Sequence, residues 1–187
     1  MRKGGGKGKG NAFEGAVGRR LSLWLSGGTD KTQLIPSRLS GGWTAGLSGG
    51  APWRHAGDLA PNGPLGDEFR QHFAVECKHH AVVDLWHIWT QQPGDNLLGW
   101  WAKIIDESLL LSPPPCPLVV FRPNRRPTML AAPLKVLDLP FDAEFPRYGI
   151  GLVRFDRLLD ELYPQGPRDW YSEVHRWQKL PYPARAL

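Results

Sequence analysis

Asp58, Glu76 and Lys78 are the residues of this chain whose types could do chemistry together. Two carboxylates brought side by side repel, so a site that holds both recruits a cation or retains a proton. A divalent cation held by carboxylates lowers the pKa of its bound water and gathers phosphate oxygens. An ammonium beside it orients the attacking water and stabilises charge that builds on phosphorus. Those are the requirements of phosphodiester hydrolysis. Asp58 and Glu76 are the candidate direct ligands, the backbone carbonyl of Cys77 is a further hard donor, and Lys78 is the candidate ammonium. Glu14, far upstream, could complete the shell directly or through water.

The spacing predicts how these groups meet. Phe73-Ala74-Val75-Glu76-Cys77-Lys78 reads as a strand in which Phe73, Val75 and Cys77 face a core while Ala74, Glu76 and Lys78 face the other way. Between Asp58 and this strand, Ala60-Pro61-Asn62-Gly63-Pro64-Leu65-Gly66 is dense in turn residues and predicts a hairpin that returns Asp58 to Glu76. Each residue also has an ordinary role. Asp58 suits an Asx-type turn, Glu76 and Lys78 a solvated strand face, and Glu14 a helix cap. The site reading accounts for all four at once.

Further elements must frame that strand. Asn11 is a good N-cap and Glu14, three residues on, completes a capping-box pattern. Phe13, Val17, Leu21 and Trp24 then recur at helical spacing, with Glu14 on the border of their stripe, until Gly27-Gly28. Gln33-Leu34-Ile35 suggests a short strand. A glycine-serine loop follows, and Trp53-Arg54-His55 lead into the strand that carries Asp58. His79 to Thr90 reads as a short helix or loop. Leu97 to Leu110 is a second helix, with Leu97, Trp101, Ile104 and Ile105 inward, stopped by the Pro113 cluster. Pro117 to Arg122 is a buried strand that turns into a partner, Thr128 to Ala132, and Leu134 to Leu139 is a candidate edge. Ile150 to Phe155 is a further strand, with Asp156 as N-cap of a short helix to Tyr163. The expected fold is α/β (α+β), a central mixed β-sheet flanked by helices in a single domain. It divides into a flexible basic arm at 1–10, a folded domain at 11–163, and an irregular tail at 164–187 docked by Trp170 and Trp177.

At 187 residues one core is the natural solution. No apolar run approaches the ~20 residues of a membrane span, and the basic start runs into Asn11 and Glu14 instead of an apolar signal stretch. Cys77 and Cys116 form neither a disulfide framework nor a zinc knuckle, which fits a reducing cytoplasm. The formal charge of +5 suggests a polyanionic partner. Lys7 and Lys9 lie in the arm, which is either a solubilising tail or a phosphate-tracking one. His79 is placed near a phosphate path, Lys103 within reach of a substrate, and Arg122, Arg125 and Arg126 around a hairpin tip suited to phosphate contacts. Solvated surface is the ordinary alternative for the arginines. Zinc binding by Cys77, His79 and His80 is disfavoured because adjacent strand residues point apart. No nucleotide-binding fingerprint is present.

Asp58 with the Glu76-x-Lys78 triplet resembles the PD-(D/E)xK nuclease superfamily, and Lys9-Gly10-Asn11-Ala12-Phe13-Glu14 looks like the opening helix of archaeal-type and phage-encoded Holliday junction resolvases. The resemblance covers roughly residues 7 to 132. It implies a restriction-endonuclease-like fold, a metal site that includes the first-helix Glu14, and Mg²⁺ as cofactor with Mn²⁺ as a substitute. It also implies DNA as substrate, a homodimer, and cleavage leaving a 5′-phosphate. Ser48, in Ser48-Gly49-Gly50, is similar to the serine-glycine loop ahead of the metal-binding aspartate, although Leu39 to Trp43 holds a second such piece. Gly57 stands where many superfamily members have proline. The expected function is a metal-dependent endodeoxyribonuclease resolving Holliday junctions, in the host cytoplasm if phage-encoded. The alternatives are a restriction- or repair-like nuclease on duplex DNA, and a basic DNA-binding protein with this fold and no catalysis.

Overall fold

The computed structural model describes residues 5–37, 56–90 and 96–179. Ser48 and the Trp53-Arg54-His55 lead-in lie outside them, as does the side chain of Lys7. The first helix, α1 (Gly5–Leu25), is longer than expected. It starts six residues before Asn11 and takes in part of the basic arm, so Asn11 and Glu14 sit inside the helix and form no capping box. Glu14 is thereby released from any capping duty. The expected stripe is buried: Phe13, Val17, Leu21 and Trp24 are each at most 5% exposed.

The expected hairpin after Asp58 is not formed. Instead β1 (Leu34–Pro36) pairs antiparallel with β2 (Leu59–Pro61), and a helix, α2 (Pro64–His72), follows. Pro64 opens α2, where a missing N–H costs nothing, and Asp67 sits in its first turn. Gln33 Oε1 accepts the Leu65 and Gly66 amides, satisfying donors that a helix start leaves free. The eighteen-residue separation of Asp58 and Glu76 is therefore filled by a helix, which delivers the chain into β3 (Phe73–His80) alongside Gly57.

Next come α3 (Leu85–Thr90), α4 (Asn96–Leu109), β4 (Cys116–Pro123) and β5 (Met129–Pro133). They are followed by β6 (Ala143–Phe145), β7 (Ile150–Arg154) and the short α5 (Phe155–Arg157), which runs into a π-turn at Leu158–Leu162. The last described element is α6 (Arg168–Lys179). Five strands form one mixed sheet in the order β3-β4-β5-β7-β6, with β3 parallel to β4 and the other pairs antiparallel. Three expectations are corrected. Leu134 to Leu139 is not a strand, since the edge is β6. The cap of α5 is Arg154, with Asp156 in its first turn. The tail is not irregular throughout, because Trp170, Val174 and Trp177 lie four and three residues apart and bury one face of α6.

Both sides of the sheet are covered. On the face of Phe73, Val75, Cys77 and His79 lie α1 and α6, with Phe13 5.7 Å from the His79 ring and Trp170 5.7 Å from Phe73. On the face of Glu76, Lys78 and His80 lies α4, which buries Leu97, Trp101, Ile104 and Ile105. Each such side chain contributes about 1.5–3 kcal/mol by leaving water. The sheet thus leaves one end of β3 as the place where α1, α4 and the Asp58 segment converge.

Candidate active site

Asp58 reaches the site through backbone pairing. Its N–H donates to the Val75 carbonyl at 2.7 Å, and its carbonyl accepts the Ser37 N–H at 2.7 Å. This needs glycine just before it. Gly57 has φ +83°, and a Cβ there would stand 2.4 Å from the Val75 carbonyl oxygen. Proline, with φ fixed near −65°, cannot occupy that position. The glycine that looks like a minor departure in the sequence is a geometric necessity.

Asp58 is 5% exposed and makes no local turn with its side chain. Oδ2 accepts the Cys77 N–H at 2.8 Å and the Lys78 ammonium at 3.2 Å. In a strand, the N–H and C=O of one residue point to the same side. The Cys77 carbonyl therefore also faces the sheet edge on which Asp58 lies. The strand alternation places Glu76 and Lys78 on one face as expected, but that face is not solvated: Glu76 is 0% exposed. Lys78 Nζ bridges the two acids, bonding Glu76 Oε1 as well as Asp58. Lys103, from α4, donates to both Glu76 oxygens at 2.9 and 2.8 Å.

Burial and Asp58 raise the Glu76 carboxyl above its ordinary value, and Lys78 and Lys103 oppose the rise. Both lysines are raised in turn, because the attraction of the carboxylates outweighs the burial that would favour the neutral amine. Glu14 is half-buried, and its carboxyl is raised by burial, then by Asp58 and more weakly by Glu76, while Lys78 pulls it down. That mutual influence puts Glu14 within electrostatic reach of the other three.

Sequence reasoning missed Glu107. Its Oε2 accepts the Gly57 N–H at 2.9 Å, and its Oε1 lies 3.0 Å from Lys103. One turn of α4 thus ties the segment before Asp58 to the lysine on Glu76. The spacing of Lys103 and Glu107 is visible in the sequence but looks like any solvated helix pair. Lys103, expected to reach toward substrate, is in fact engaged with these two acids. His79 lies with Lys9, Arg122, Arg125 and Arg126 around a separate concavity on the α1 side.

Among the described residues, no three His, Cys, Asp or Glu side chains stand placed to hold a metal ion. The donor set is nevertheless suited to a hard divalent cation: two carboxylates, a backbone carbonyl, and a third carboxylate nearby. A positive charge, the Lys78 ammonium, already sits between Asp58 and Glu76. Cys77 itself offers nothing to a zinc ion, since burial pushes its thiol well up.

No helix among the described residues is long and apolar enough to cross a membrane. Neither a curated protein nor a solved structure matches the chain. Residues 5–143 match the family described as phage putative PDDEXK endonuclease, a span that takes in Glu14, Asp58, Glu76, Lys78, Lys103 and Glu107. The match covers well over half of the sequence, and the chain belongs to that phage endonuclease family.

Proposed function

We propose that the protein is a metal-dependent endodeoxyribonuclease acting on branched DNA, the four-way junction above all. One observation carries the reading: Asp58 and Glu76, from separate segments, meet across a single ammonium at the sheet edge, with Glu14 beside them. Asp58, Glu76 and the Cys77 carbonyl would hold Mg²⁺, with Glu14 completing the shell, and Mn²⁺ would substitute. The bound cation supplies Lewis acidity toward a phosphate oxygen and a more acidic water. Lys78 orients the attacking water and offsets charge on the phosphate as the bond to the 3′ oxygen breaks, leaving a 5′-phosphate. Two symmetric cuts across a junction need two such sites, so the working form is a homodimer. The junction preference rests on the likeness of the Lys9–Glu14 segment to junction-resolving relatives, and DNA as substrate fits the net positive charge.

The test compares four-way, flap and linear substrates with Mg²⁺. The junction should be cut fastest, and Asp58→Asn or Glu76→Gln should lower cleavage by about a hundredfold or more while binding persists. Linear duplex cut as readily as the junction would remove the resolvase reading. Unchanged cleavage by the Glu76→Ala, Lys78→Ala double variant would move the site elsewhere. A second reading, DNA binding without hydrolysis, is favoured by one observation: ammonium groups hold both oxygens of Glu76. Junction binding with no cleavage in Mg²⁺ or Mn²⁺ would establish it.

A further inference from the structure

The β4–β5 hairpin separates two different concavities. On its α1 side, Lys9, His79, Arg122, Arg125 and Arg126 surround a hollow of about 420 Å³. None of these side chains pairs with a carboxylate among the described residues, and the chain has no acid between Cys116 and Asp138. On the α4 side lies an apolar groove of about 590 Å³, a size usual for small-molecule sites. Val82, Val83, Leu85, Phe121, Pro127 and Met129 line it. The two hollows share Asn124 and Arg126, so the basic one continues into the apolar one around the hairpin tip. Val82 of this lining is 66% exposed, and Trp86, the residue after Leu85, is 65% exposed. Asp84, the one acid between Cys77 and Thr90, is turned to the start of α3, where it accepts the Trp86 N–H at 3.0 Å. The groove is also close to the chemistry, because Phe121 on its floor pairs in register with Lys78.

A surface whose cations pair with no carboxylate among the described residues, running into an apolar groove floored by the aromatic ring of Phe121, is complementary to a nucleotide, charged at the phosphate and apolar on the face of the base. In paired duplex the bases are stacked and unavailable. An unpaired one can leave the stack at modest cost and lie against an aromatic or apolar wall. We propose that this groove takes an unpaired nucleobase of a DNA strand, with Arg126 and its basic neighbours holding the flanking phosphates. The proposal deepens the nuclease reading and rests on it for the identity of the polyanion. It adds that strands with bases out of the stack, as at a branch or bulge, are preferred over continuous duplex.

The experiment measures binding in EDTA, so that cleavage plays no part. The probes are a short duplex carrying one unpaired 2-aminopurine and the same duplex fully paired. The wild-type protein should bind the first about tenfold more tightly, with quenching of the 2-aminopurine, as stacking on an aromatic predicts. Val82→Ser, which makes an exposed lining residue polar, should reduce the preference and the quenching while leaving affinity for paired duplex unchanged. Leu85→Ser, at a second lining position, should do the same. Arg125→Ala with Arg126→Ala should weaken both probes alike. An equal affinity for the two probes, or a preference that both lining variants leave intact, overturns the proposal. So does a change in sedimentation of Val82→Ser without a change in DNA preference, which would make the groove an interface between copies or for another protein. Junction cleavage in Mg²⁺ without any such preference sinks the groove assignment alone. No binding to any DNA and no cleavage sink the nuclease reading with it.

Discussion

Replacing Lys103 by methionine removes one of the two ammonium groups on Glu76 and keeps most of the side-chain stem. Glu76 is fully buried, and Lys103 meets both of its oxygens at 2.9 Å or less. A charge pair at such a distance is worth about 6 kcal/mol at an effective dielectric near 20. The Lys103 side chain is 48% exposed, so solvent screening reduces the loss to about 1–2 kcal/mol. For a chain of this size that is a fall in Tm of about 2–8 °C. The deficit depends on pH with a definite sign. Glu76 is raised above 4.5 by burial and Asp58, and losing Lys103 raises it further. The deficit is therefore full at neutral pH, where Glu76 is ionised, and fades as pH falls through the raised value and the carboxyl becomes neutral. Added Mg²⁺ should raise Tm more in the variant than in the wild type, because one competitor for Glu76 is gone. Scanning calorimetry at neutral pH and near 4.5, with and without Mg²⁺, reads all three. A variant as stable as the wild type at neutral pH, or a deficit that is the same at both pH values, would refute the reasoning.

Three further outcomes follow from the same geometry. Glu107→Gln should lower kcat by about tenfold, the value of one weakened charged hydrogen bond, with little change in KM for DNA, as steady-state cleavage would show. Gly57→Ala should cost more than about 1 kcal/mol of stability and most of the cleavage, since the added Cβ meets the Val75 carbonyl at a positive φ; chemical denaturation checks it. Glu14→Gln should raise Tm at neutral pH, because burial and Asp58 disfavour its charge in the folded state. That gain should vanish as pH falls to the ordinary glutamate value, while calorimetric titration shows weaker Mg²⁺ binding at neutral pH than in the wild type.

The amphipathic stripes were legible because periodicity depends on the chain alone: Phe13 to Trp24 and Leu97 to Ile105 both lie where 3.6-residue spacing puts them. The parity of β3 was equally legible, but not the burial of its polar face, which comes from α4 packing over it. Pro64 and Gly63 signal a turn or a helix start with equal force, and only the eighteen residues to be spanned favour the helix. Trp170, Val174 and Trp177 carried a readable stripe, concealed by the Pro-Gly surroundings of Pro164 to Pro167. Of the candidate site, Asp58, Glu76, Lys78 and Glu14 could be picked out as a pattern. Lys103 and Glu107 could not, since an ordinary surface pair has the same spacing and only the tertiary fold brings it to Gly57 and Glu76.

The hydrogen bond between the Ser37 amide and the Asp58 carbonyl, together with the pairing of Leu34 with Pro61, closes the chain on itself. Both sides of that closure are anchored: the Ser22 hydroxyl of α1 accepts the Leu34 N–H, and the Val75 carbonyl of β3 accepts the Asp58 N–H. Asp58 is thus tied to the first helix through β1 and to the central sheet directly, so a shift of that helix would reach this aspartate as well as Glu14, which the helix itself carries.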